Sequence, residues 1–353
     1  MSTRYGADRE EIAALLEEWG EPRYRGDQIW DALYRAPTAL EDASALPRTL
    51  RARLAEALPL ALEQIADATS TDELTSKWLW AAGDDGAQVE TVLMRSATRA
   101  SVCVSSQAGC AMACSFCATG QAGFERHLTS GEIVEQVVRA AHASPQRVSN
   151  VVYMGMGEPL ANYDEVWSSV ERLHGDLGIS ARRITVSTVG VVPGMRRLAD
   201  APLPVTLAVS LHAPNDALRS ELVPLNQRYP IAEVLDAAAE VAGARGRRVT
   251  FEYACIAGVN DAPRQIDQLG RLLGAWPGVG GAHVNLIPLN PTAGYGGRRP
   301  GGARLRDLAE RLRGHGVQAT VRQTRGVDID AACGQLRTRL IPGAPSPSTT
   351  MDS

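Results

Sequence analysis

Three cysteines stand within eight residues, in Cys110-Ala-Met-Ala-Cys114-Ser-Phe-Cys117. Thiolates this close can grip one cuboidal iron–sulfur cluster, whose usual ligand is cysteine sulfur. Three ligands on a four-iron cluster leave one iron open. An amine and a carboxylate can chelate that iron, as at the amino-acid end of S-adenosylmethionine. The same residues could instead form a closed zinc site with His127, ten residues past Cys117, since three sulfurs and one imidazole make a structural tetrahedron. Three packed core thiols are the bland alternative. Cys103, Cys255 and Cys333 complete a set of six in 353 residues. In so long a chain this favours metal or thiol chemistry over a disulfide framework.

Such groups need a scaffold. The cysteine run follows strand-like sequence at 100–106. Upstream, helices fit 8–19, 26–35 and 48–58. Asp8 and Glu11 form the start signal of the first, Ile12, Leu15, Leu16 and Trp19 its apolar face, and Gly20 its stop. Residues 1–73 thus read as a small helical domain. Segments 75–82 and 87–95 flank Gly83-Asp84-Asp85-Gly86, which argues for a hairpin within an extension over 74–99. Downstream, strands at about 148–154, 182–188, 203–210, 247–255, 281–288 and 317–322 alternate with helices at 130–143, 163–174, 193–200, 231–243, 262–274 and 303–313. Alternation implies a parallel sheet with right-handed crossovers. Six units rather than eight predict an α/β fold, a partial (βα)6 barrel over 100–325. A loop over 326–340 and a Pro-Ser tail over 341–353, expected to be disordered, follow.

Ligand groups in parallel sheets collect beyond the carboxyl ends of the strands. Gly157 and Glu158 follow strand 148–154, Ser187 ends 182–188, Ser210-Leu211-His212 ends 203–210, and Asn290 follows 281–288. Glycine lets backbone approach a ligand, a carboxylate accepts from an amine, and hydroxyl or imidazole groups suit ribose and carboxylate. Each has an ordinary reading alone: Pro159 and Pro291 mark turns, and a serine caps.

The C-x3-C-x2-C spacing is similar to the signature of the radical S-adenosylmethionine superfamily. Further motifs are Arg25-Gly-Asp-Gln-Ile-Trp30, Cys103-Val-Ser-Ser-Gln-Ala-Gly-Cys110, Gly155-Met-Gly-Glu158-Pro-Leu160, Ser210-Leu-His212, Pro288-Leu-Asn290-Pro291 and a late Cys333. With them, residues 25–340 resemble the RlmN/Cfr family, enzymes that methylate adenine carbons of 23S ribosomal RNA. The resemblance implies one [4Fe–4S] cluster on Cys110, Cys114 and Cys117. It implies S-adenosylmethionine at Gly157, Glu158, Ser187, Ser210, Leu211, His212 and Asn290, two molecules per turnover, and a reductant such as flavodoxin or ferredoxin. Cys333 and Cys103 become the catalytic pair. Cys333 takes a methyl group, loses a hydrogen to a 5′-deoxyadenosyl radical and joins the adenine; Cys103 removes the ring proton and resolves the adduct through a transient disulfide. A radical route suits an electrophilic ring carbon that a methyl cation would not attack. Glu90 matches a family acid near the base and is a candidate proton acceptor; as plain sequence it is the polar face of an alternating strand. Cys255 fits no motif and reads as core. The implied target is adenine carbon 2 in 23S ribosomal RNA and in a transfer RNA anticodon loop, with carbon 8 as the alternative.

Composition leaves room for RNA. Hydrophobic residues at 44% and charged residues at 22% suit a globular chain. Residues 1–70 carry 8 Arg against 13 Asp+Glu, a net of −5, and residues 291–340 carry 10 Arg against 4, a net of +6. A local basic surface matters more than the overall charge of −4. Arg298, Arg299, Arg304, Arg306, Arg311, Arg313, Arg322 and Arg325 are candidates for phosphate contact, or simply a solvated face. Arg23 and Arg25 are candidates in the N-terminal segment. Lys77 is the only lysine. No run of about 18 apolar residues exists for a membrane span, and the N-terminus lacks a signal pattern, so a cytoplasmic location without membrane contact is expected. A zinc-stabilised RNA-binding protein and a radical enzyme that does not methylate are the readings from other classes.

Overall fold

Among the described residues twelve strands form: β1 (Leu62–Thr69), β2 (Thr75–Ala82), β3 (Ala87–Arg95), β4 (Ala100–Cys103), β5 (Gln107–Gly109), β6 (Phe124–His127), β7 (Val148–Tyr153), β8 (Ile184–Thr188), β9 (Thr206–Ser210), β10 (Thr250–Cys255), β11 (His283–Pro288) and β12 (Gln318–Val321). The computed structural model describes residues 2–35, 39–83 and 85–336; the expected tail at 341–353 and the last residues of the 326–340 loop lie outside them. Ten strands make one sheet in the order β1-β2-β3-β4-β7-β8-β9-β10-β11-β12. Pairing is antiparallel from β1 to β4 and parallel from β4 to β12. Helices Ser130–His142, Tyr163–Gly175, Val192–Asp200, Ile231–Arg245, Pro263–Gly274 and Gly302–Gly314 occupy the six crossovers. This is the expected α/β architecture. Helix Ser130–His142 starts on a capping box between Thr129 and Glu132.

The expected helical stretch over 1–73 ends differently. Helices Arg9–Glu18, Arg25–Trp30 and Arg48–Ala57 form, the first on an Asp8–Glu11 capping box, but Leu62–Thr69 is strand β1. Only Leu62 of that strand is buried, so an outermost strand carries no apolar alternation to read. The backbone amides of Ala61 and Leu62 donate to the Glu135 carboxylate (2.8 and 3.2 Å), which fixes the entry to β1. The N-terminal segment docks on helix Tyr163–Gly175, where Arg172 donates to the carbonyls of Tyr5, Gly6 and Ala7. Its apolar residues join the same continuous core as the sheet. Among the described residues no helix is long and apolar enough to cross a membrane.

Candidate active site

Two clefts open beyond the carboxyl ends of the parallel strands. One, of about 980 Å³, is walled by Cys114, Cys117, Gly157, Glu158, Ser187, Ser210, His212, Asn290 and Cys333. The other, of about 1110 Å³, is walled by Cys103, Met94, Arg99, Arg322, Arg325 and again Cys333. The strand-end residues named from sequence therefore converge, except Leu211. That side chain is fully buried in the core, and its amide donates to the Glu252 carbonyl (3.0 Å).

The cysteine loop is bracketed by β5 and β6, which pair with each other apart from the main sheet. Cys110 N donates to Gly123 O (2.6 Å), Cys117 N to Cys114 O (3.1 Å), and Ala113 takes a left-handed φ of 51° to turn the chain between them. Burial pushes the Cys110 thiol up to about 12 and the Cys114 thiol well above its ordinary value, and the neighbouring thiols push the same way. Buried thiols crowded together ionise readily only when a metal supplies the positive charge. The three thiols fit a cluster whose cysteine ligands sit on separate irons, and among the described residues no group of three His, Cys, Asp or Glu side chains is arranged as a single-ion site. His127 meets Gln107 through Nδ1 (3.0 Å) and stacks edge-on to Phe124.

The first cleft is held stiffly. Glu158 accepts from Leu160 N through Oε1 (3.0 Å) and from Val189 N through Oε2 (2.9 Å). Burial pushes its carboxyl up to about 7. Gly157 has φ +100°, and a Cβ there would stand 2.6 Å from Gln107 Cβ. His212 Nδ1 accepts from Ala254 N (3.0 Å), which leaves the ring hydrogen on Nε2, and Phe116 packs edge-on at 4.8 Å. Burial pushes this imidazole down to about 3, so it is neutral. Asn260, missed in the sequence, supports it by donating to the carbonyls of His212 (2.9 Å) and Ala254 (2.7 Å). Asn290 Nδ2 donates to Cys333 O (3.0 Å) and leaves a buried, unpartnered Oδ1.

Cys103 ends β4 and is buried; burial, with Cys333 adding to it, pushes its thiol up to about 12. Cys333 is exposed, and its surface opens into the two clefts. Burial raises that thiol and the nearby Arg322 guanidinium opposes the rise. Arg322 walls both clefts and stands 3.6 Å from the buried Glu252 carboxylate. From sequence alone Arg322 is only one of the phosphate candidates. Glu252, a charge inside the apolar strand β10, is the one sequence feature that hints at a buried cation, though not at which one. All six cysteines are free, and Cys255 is core as expected.

Glu90 is fully buried on β3 and belongs to neither wall; Lys77 Nζ lies 3.4 Å from its Oε1. The solvated-face alternative for this residue is thus corrected, since the hairpin is covered on both sides. The late arginines divide. Arg304 and Arg311 pair with Asp261, Asp267 and Asp307, and Arg313 holds Ala319 O (2.7 Å). Arg298, Arg299, Arg306 and Arg325 are exposed. In the N-terminal segment Arg23 is exposed, while Arg25 is engaged with Gln28 (2.7 Å).

Residues 104–269 match the Radical SAM superfamily. A Parafrankia sp. (strain EAN1pec) protein named "Probable dual-specificity RNA methyltransferase RlmN" is 51% identical over 350 residues, 93% of this chain and 89% of that protein. A Salinispora tropica protein of the same name is 51% identical, over 91% of this chain and 89% of its own. The crystal structure of a radical SAM methyltransferase from Sphaerobacter thermophilus superposes with a TM-score of 0.90 at 48% identity, over 96% of this chain and 100% of that one. Membership of the superfamily implies an iron–sulfur cluster and S-adenosylmethionine. With half of its residues shared along nearly its whole length, this chain belongs to the RlmN family of radical SAM RNA methyltransferases.

Proposed function

We propose that the enzyme methylates carbon 2 of an adenine in 23S ribosomal RNA and in transfer RNA anticodon loops, with Cys333 as methyl carrier and Cys103 as resolving thiol. One observation carries this reading: Cys333 faces both clefts, and Cys103 faces only the second. A carrier must meet the methyl donor on one side and the acceptor base on the other. Cys110, Cys114 and Cys117 hold one [4Fe–4S] cluster, which when bound supplies the electron for reductive cleavage of S-adenosylmethionine. Gly157 lets the backbone approach that molecule, and Glu158, Ser187, Ser210, His212 and Asn290 fix its polar groups. Cys333 Sγ accepts a methyl from one S-adenosylmethionine. The Cys333 thioether then gives up a hydrogen atom in a cycle that consumes a second molecule, and its carbon bonds to the adenine. Cys103 takes the ring proton, and the unpaired electron of the adduct passes to a one-electron acceptor, a role the cluster on Cys110, Cys114 and Cys117 would fill. The Cys103 proton goes to the departing carbon as the Cys103 thiolate attacks Cys333 sulfur, releasing the methylated base and leaving a Cys103–Cys333 disulfide.

The base must leave its stack, or already lie in an open loop, to reach these thiols. The exposed Arg99 and Arg325 at the rim of the second cleft suit the RNA backbone. A flavodoxin- or ferredoxin-type reductant and a cytoplasmic location belong to the same reading. The test is peptide mass spectrometry on anaerobically reconstituted protein incubated with S-adenosylmethionine, together with mass analysis of the RNA nucleosides. One added methyl on Cys333 and 2-methyladenosine in the RNA are expected. Cys333→Ala should keep the cluster and abolish RNA methylation; residual methylation in that variant removes the carrier role, and 8-methyladenosine in the wild type corrects the target atom.

A further inference from the structure

The stretch from Arg325 to Leu336 crosses between two anchorages. Its first half is tied to the antiparallel extension. Arg325 donates to Arg95 O (2.8 Å), the Asp328 carboxylate accepts from Thr71 N (2.8 Å) and Thr71 Oγ1 (3.0 Å), and Lys77 Nζ donates to Asp330 O (3.2 Å). Its second half is tied to the cysteine loop and the parallel side. Ala118 N donates to Gly334 O (2.8 Å), Thr119 Oγ1 to Leu336 O (2.7 Å) and Asn290 Nδ2 to Cys333 O (3.0 Å). Cys333 stands at the changeover.

Lys77 is the only lysine of the chain, and it is 2% exposed. Its ammonium meets the buried Glu90 carboxylate and the Asp330 carbonyl together. A compact ammonium with three rotatable donors can serve both; the flat, rigid fork of arginine, used at every other Lys/Arg position, is poorly shaped for it. A buried ion pair is a weak source of stability, because desolvation offsets its attraction, but it fixes geometry. The geometry needing support is on the page: Asp330 takes a left-handed φ of 51°, uncommon for a residue with a side chain.

We propose that Lys77, with Glu90 as its counter-ion, is a positioning residue that holds the Cys333 segment at the boundary of the two clefts, so that the antiparallel extension is the cradle of the methyl carrier. The functional meaning rests on the carrier reading of Cys333. The experiment uses cluster-loaded protein before S-adenosylmethionine is added, and follows iodoacetamide alkylation of each cysteine by peptide mass spectrometry, with kcat and KM for RNA measured separately. Lys77→Met/Glu90→Gln removes both charges without stranding a buried carboxylate; Asp328→Ala loosens the exposed part of the same anchorage and leaves the core alone. In the double variant Cys333 should alkylate about tenfold faster, the factor for one lost charged hydrogen bond, with Cys255 unchanged and kcat lowered more than KM is raised. Asp328→Ala should give a smaller change of the same kind and carries the test should the double variant not fold. Wild-type Cys333 alkylation and kcat in the folded variants overturn the proposal, and so does a parallel rise at Cys255, which reports a loosened core. Absence of a methyl on wild-type Cys333 after S-adenosylmethionine is added fails the carrier reading instead, and leaves the alkylation result to judge the cradle.

Discussion

In the first cleft three polar side chains, Glu158, His212 and Asn290, are held by backbone before any ligand arrives. Both Glu158 oxygens hold backbone amides, the His212 ring holds Ala254 N, and Asn290 holds the Cys333 carbonyl. In the second cleft Arg99, Gln323 and Arg325 are exposed along the wall, beside Cys103 and Cys333. The contrast is one of reorganisation. Groups fixed by the fold lose no entropy on binding and suit a small ligand held in one pose. Exposed arginines adapt to a polyanion and leave the cleft open to a macromolecule. The shared wall, with Cys333 in it, is where the two kinds of site meet.

The sharpest way to break this comparison is Cys103→Ala, which alters only the second cleft. Under the proposed chemistry the methyl transfer to Cys333 and the attachment to RNA still occur, but the adduct has no resolving thiol. Turnover should fall to nearly none while a covalent protein–RNA species accumulates, visible as a shifted band in denaturing electrophoresis. Free methylated RNA formed at the wild-type rate would remove Cys103 from the chemistry.

A middle-sized effect tests the stiffness of the first cleft. The His212 imidazole sits near pKa 3 when folded and near 6.5 when free. The folded state therefore binds fewer protons, and its contribution is fully present above pH 6.5 and is lost as pH falls toward 3. The loss by pH 5 is about 2 kcal/mol from this group. His212→Asn offers an oxygen to Ala254 N and tolerates the φ of +62°, but does not titrate. Thermal melts of the variant should drop less between pH 7 and pH 5 than those of the wild type. Equal slopes would mean that His212 is not held neutral by the fold.

The same contrast explains what could be read from sequence. The parallel strands, their crossover helices and the hairpin were legible because apolar periodicity and capping signals agree there, as at Thr129 with Glu132 and Asp8 with Glu11. The first cleft was legible because its residues sit next to strand ends in short local motifs. Three things were hidden. Strand β1 lies at the end of the sheet with one buried residue, and β5 and β6 are three and four residues long. Arg322 and Glu252 meet through tertiary contact alone. The partnership of Lys77 with Asp330 spans 253 positions, and no local pattern reports it.

The smallest expected effect sharpens the second half of the comparison. If the exposed arginines there meet phosphate, each releases counterions on binding, so affinity falls with salt in proportion to the contacts made. Arg99 is the cleanest probe, because it walls the second cleft and makes none of the hydrogen bonds that anchor the Cys333 segment. Arg99→Ala should lower RNA affinity by a similar factor for all sequences and reduce the slope of log Kd against log salt by about one. It should leave S-adenosylmethionine cleavage without RNA unchanged, since nothing in the first cleft depends on it. An unchanged salt slope would place the RNA backbone elsewhere and turn attention to Arg298, Arg299 and Arg306, whose exposure on the late segment offers the alternative track. A changed rate of cofactor cleavage would instead show that the clefts are coupled through their shared wall, and that the rigid and the adaptable halves do not act independently.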